Sequence, residues 1–100
     1  MIENKILLLL ISASEKPITS YELIRLLSRR FKIDYTKVIN ECLNDNYIER
    51  NDYPSREMGS YKLTEKGETE LKKINMVDFE LELLMLYPEE SDFIKVVFPT

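Results

Sequence analysis

The chain has no histidine, no tryptophan, one cysteine and only two glycines in 100 residues. Without histidine it lacks the commonest general base and the commonest metal ligand. A lone Cys42 excludes an internal disulfide and any cysteine-cluster metal site. There is no phosphate-cradling loop, no low-complexity tract and no internal repeat. The longest apolar run, Ile6 to Ile11, is six residues, whereas a bilayer span needs about 20. Glu3 before it and Glu15-Lys16 after it are not the flanks of a signal peptide. One hundred residues fit a single core and leave little depth for a substrate pocket. These absences lead to the expectation of a cytoplasmic protein that is not an enzyme, carries no cofactor or metal and does not associate with membranes.

The net charge is −4, but it is unevenly spread. Residues 16–73 carry twelve basic and ten acidic side chains. Residues 74–100 set Lys95 against Asp78, Glu80, Glu82, Glu89, Glu90 and Asp92. The sum argues against a generally basic nucleic-acid binder, but the acidity belongs to the tail, and the middle is mildly basic.

Periodicity predicts a first helix over residues 2–13, apolar on nearly every side. A helix of that kind is buried all round, with one face on the core and the other expected against a partner chain. Pro17 ends it. Thr19 with Glu22 three residues on is a capping box, and it opens a second helix that runs to about Arg30 with Leu23, Ile24, Leu26 and Leu27 as its stripe. After the link Phe31-Lys32-Ile33, Asp34 caps a third helix over Tyr35 to Asp45. Val38, Ile39, Cys42 and Leu43 are its inward residues, and Asn46 supplies the left-handed turn-off. Tyr47–Arg50 and Ser60–Leu63 then read as a β-hairpin around the turn-rich residues 51–59. Thr64 caps a fourth helix with Leu71 and Ile74 inside, and the helical pattern continues through the tail to about Leu86, ending before Pro88. Residues 93–98 are expected to form a terminal strand.

The order helix, helix, helix, hairpin, helix is that of a winged helix-turn-helix domain, mainly α with a small β wing. Several segments carry a closer likeness. The Ile6–Leu10 run is followed by Ser20-Tyr21-Glu22-Leu23. Asn46-Tyr47-Ile48-Glu49 follows the third helix. Tyr61-Lys62-Leu63-Thr64-Glu65-Lys66-Gly67 matches a Tyr-x-Leu-Thr-x-x-Gly signature at the end of the wing. In these residues the chain resembles winged-helix regulators of the PadR and MarR type, over about residues 4–74. The resemblance implies a domain over 1–74 and an acidic dimerisation tail over 75–100.

It further implies a dimeric, DNA-binding transcription regulator. Its third helix would enter the major groove, and its wing would lie on the backbone of the duplex. By position, the outward residues of that helix are Tyr35, Thr36, Lys37, Asn40, Glu41 and Asn44. Asn reads adenine through two hydrogen bonds, and Glu accepts from cytosine N4. Arg29, Arg30 and Lys32 beside the helix, with Arg56 and Lys62 on the wing, are phosphate contacts that give affinity without sequence information. The alternative is a winged-helix protein-interaction module that binds no DNA, and a protein partner for the acidic tail belongs to that reading. The apolar excess of 6–11 and 79–87 also has two explanations. Either the tail folds back over the first helix, or the two segments build a homodimer through Leu7, Leu10, Phe79, Leu83, Leu84 and Leu86. The dimer is the expectation.

Overall fold

Ile6, Leu7, Leu8, Leu9, Leu10 and Ile11 are all buried, so the apolar run of the first helix, α1 (Ile2–Ala13), is covered all round. The computed structural model describes residues 2–14, 18–51 and 59–98. Within them α1 is the central element. It packs against α3 (Tyr35–Asn44), β3 (Ser60–Leu63), α4 (Glu65–Lys72) and α6 (Ser91–Val97). Both sides of α1 are therefore covered from within the chain. The tail contributes to that cover through α6.

Four helices start on a side-chain oxygen that accepts a backbone N–H three residues on, which satisfies one orphan donor of the first turn. Thr19 caps α2 (Ser20–Ile24) through the Glu22 amide at 3.2 Å, and Asp34 caps α3 through Lys37 at 3.4 Å. Thr64 caps α4 through Gly67 at 3.0 Å. Asn75 caps α5 (Met76–Leu86) through Asp78 at 3.1 Å. The fourth cap splits what the sequence pattern joins, so the region from Thr64 to Leu86 is two helices rather than one. α2 is continued by a π-helical segment, Arg25–Arg30.

The sheet is antiparallel in the order β1-β3-β2. β2 (Ile48–Asn51) pairs with β3 in the register Ile48 to Leu63, as a hairpin requires. The third strand, β1 (Ile18–Thr19), sets Ile18 opposite Tyr61; two residues carry no periodicity by which a strand is recognised. The expected strand over 93–98 is instead the helix α6, entered through a 3₁₀ turn, Pro88–Glu90. Ile94 and Phe98 are buried, Phe93 and Val97 are half-buried, and Lys95 and Val96 face out. That i, i+4 pairing seats one face on α1 and α5. No described helix is long and apolar enough to cross a membrane.

Candidate nucleic-acid interface

Val38, Ile39 and Cys42 turn α3 inward, and the opposite side is polar. Thr36, Lys37, Asn40 and Asn44 are exposed. At 100° per residue they fall within an arc of about 100°. No other described residue engages their side chains, so their donors and acceptors are available. α3 ends in a Schellman arrangement, with Asn46 donating to Leu43 at 3.1 Å and Tyr47 to Cys42 at 2.9 Å. Asn46 takes the left-handed backbone this needs, at φ 62°.

Tyr35 and Glu41 do not share that outward face. Tyr35 is half-buried at the rim of the core. Glu41 is half-buried and lines a cavity of about 180 Å³ with Glu3, Lys32, Asp34, Lys37 and Tyr87. Burial raises the Tyr87 hydroxyl above its usual range, with Glu3 adding to the effect. Lys32 is exposed at φ 55°, between buried Phe31 and Ile33. A left-handed conformation costs a non-glycine residue about 1 kcal/mol or more. The bond from Ile33 N–H to the Leu27 carbonyl, at 2.9 Å, holds it.

Arg29 and Arg30 lie together, and the structure adds a residue that sequence reasoning missed. Arg25, Leu26, Arg29, Arg30 and Glu90 line one shallow cavity of about 250 Å³. In a regular α-helix Arg29 falls about 40° round from Arg25, whereas Arg30 falls about 140° away. The i to i+5 bonding of the π-helical segment widens the turn and brings residues five apart into register. Arg25 was legible from its i, i+4 spacing to Arg29. The convergence of all three was not, because no sequence pattern announces a π turn.

The wing residues contribute less. Lys62 pairs with Glu49 at 3.2 Å across the hairpin, both side chains being more than half exposed, and such pairs stabilise little. Arg56 lies outside the described residues. Cys42 is fully buried, and its thiol is pushed up to about 11, first by burial and then by Asp45 and Glu41. It is a packed side chain rather than a nucleophile.

Of the residues expected at a dimer contact, Leu7, Leu10, Phe79 and Leu83 are buried in the single chain. They have no surface to offer a second copy in this arrangement. Leu84 is half-buried and Leu86 is exposed. Tyr21, Leu86 and Val96 also reach solvent, but the most regular exposed apolar set is Val77, Leu81 and Met85, at 70%, 56% and 83% exposure. Their i, i+4, i+8 spacing makes one stripe along α5. Asp78 and Glu82 flank it on one side and Glu80 on the other, and α5 has no basic residue.

The described residues thus present an exposed polar face on α3 and, separately, a cavity lined by three arginines. No family model, no curated protein and no solved structure matches this chain.

Proposed function

We propose that this chain is a winged helix-turn-helix DNA-binding regulator, with α3 in the major groove and the β2–β3 hairpin on the backbone. The observation that carries the reading is the unengaged face of Thr36, Lys37, Asn40 and Asn44 on a helix capped at both ends. Asn40 and Asn44 are base readers in this scheme, Lys37 and Lys32 reach phosphates, and Arg25 and Arg29 extend the phosphate track along α2. These four cations make a thin footprint for one copy. Two copies on one duplex, joined through the Val77, Leu81, Met85 stripe, double it and match the two half-sites such dimers read.

The test is selection of bound genomic fragments at two salt concentrations. We expect salt-dependent binding whose log–log slope is a few units. Replacing Arg29 and Arg30 together by Ala should weaken binding to every sequence and flatten the slope. Leu81→Glu with Met85→Glu should give a monomer by light scattering. The acidic flanks of the α5 stripe and the single cation on the α3 face favour a second reading, a protein-interaction module. That reading wins if no genomic duplex binds at any salt.

A further inference from the structure

The tail reaches across the molecule to the arginines. Glu90 stands at the N-cap position of α6 yet makes no capping bond with its side chain. Its carboxylate instead accepts from Arg30 Nη1 at 2.8 Å, with the Glu90 side chain only 21% exposed and the Arg30 side chain 45% exposed. The same guanidinium lies 4.5 Å over the ring of Phe93. Next to it Phe31 meets Tyr87 edge-on at 5.0 Å and Phe93 at 6.0 Å. The segment is thus anchored on both sides of the ion pair. Among the described residues Arg25 and Arg29 have no ion-pair partner, and the cavity is lined by three arginines and one glutamate.

We propose that Arg25, Arg29 and Arg30 form a phosphate-binding site for duplex DNA, and that Glu90 is its built-in competitor. An arginine fork suits a phosphodiester as well as a carboxylate. The cavity retains unmatched positive charge with Glu90 in place, so it attracts a phosphate that Glu90 then contests. DNA engages the site fully only when the Glu90 carboxylate is displaced from Arg30. The inference rests on the DNA-binding reading above and assigns its control to the tail.

The experiment measures binding of the full chain to a labelled mixed-sequence duplex by anisotropy, across a salt series. Glu90→Gln is nearly isosteric and removes only the charge. It should tighten binding by about threefold to fivefold, the upper part of the range a partly exposed ion pair supports. It should also steepen the salt slope by about one unit as Arg30 becomes free for phosphate. Glu89→Gln removes the same charge from an exposed neighbour and should change affinity by less than about twofold, the size of a screened surface charge. Glu90→Asp, which draws the carboxylate back by one methylene, should give an intermediate gain if Glu90→Gln folds poorly. Adding Arg30→Ala to Glu90→Gln should abolish the gain. If the wild type binds and Glu90→Gln behaves like Glu89→Gln, the competitor role is overturned while DNA binding stands. If neither wild type nor variants bind at low salt, the DNA reading falls and this proposal with it.

Discussion

At Gly67 two opposing effects can be weighed. An alanine inside a helix is favoured over glycine by up to about 1 kcal/mol. A Cβ at this position, however, would collide with the backbone carbonyl of Tyr47, which has no rotamer by which to move away. Neighbouring bonds pin that carbonyl: Thr64 N–H donates to it at 3.0 Å, and the Thr64 hydroxyl donates to the carbonyl of Asn46. Lys66 closes the same corner, donating to the Asp45 carbonyl at 2.8 Å with its ammonium 5.0 Å above the Tyr47 ring. Overpacking against fixed atoms costs about 1–3 kcal/mol, so the clash wins. Gly67→Ala should destabilise by about 1–2 kcal/mol in urea unfolding, and a gain in stability would show the close approach to be absent. The Thr64-x-x-Gly67 motif is thereby explained as the joint that sets α4 on the turn after α3. It reports fold and leaves function open.

Among the elements, α5 depends on one side chain for its beginning. Asn75 separates it from α4, whose last turn is already spent at Lys73 and Ile74. Asn75→Ala should lower stability by about 1 kcal/mol, and Asn75→Asp should restore it, since Asp caps as well and suits the helix dipole. If Ala and Asp behave alike in chemical denaturation, the cap is not what starts α5. Three of the four capped starts were readable from sequence, whereas the Asn75 cap was hidden by an apolar pattern that runs on through it. Thr19, Asp34 and Thr64 each stand three residues before the amide they accept, and Val38, Ile39 and Cys42 point inward at helical spacing. Elements decided by long-range packing were not readable. Phe93 to Phe98 fits a strand or a helix by local pattern, and docking on α1 and α5 settles it. The candidate interface divides in the same way. Four of the six α3 residues expected outward are exposed, whereas the meeting of Arg25, Arg29, Arg30 and Glu90 needed a π turn and a contact across 60 positions of sequence.

For the whole molecule, the question is whether residues 1–74 stand without the tail. Phe79, Leu83, Ile94 and Phe98 belong to the same buried cluster as Leu7 to Leu10, and Phe79 packs on Phe98 at 5.5 Å. The radius of gyration, 12.9 Å, equals the ~13 Å of a single hundred-residue domain, so the tail is folded in rather than trailing. Full burial of one large apolar side chain contributes about 1.5–3 kcal/mol. Four of them are worth roughly 6–12 kcal/mol as an upper estimate, comparable with the whole stability of a small domain, about 5–15 kcal/mol. Deleting residues 75–100 also uncovers one side of α1, where six consecutive apolar residues lie buried. The 1–74 fragment should therefore show no cooperative thermal transition and should bind a hydrophobic dye, while the full chain melts in one step. A fragment that melts cooperatively and stays monomeric would instead establish 1–74 as an autonomous domain and free the tail for dimerisation. The two outcomes also separate the origins of the apolar excess in α1. Loss of folding assigns it to cover by the chain's own tail, so that any second copy must dock on the outer stripe of α5.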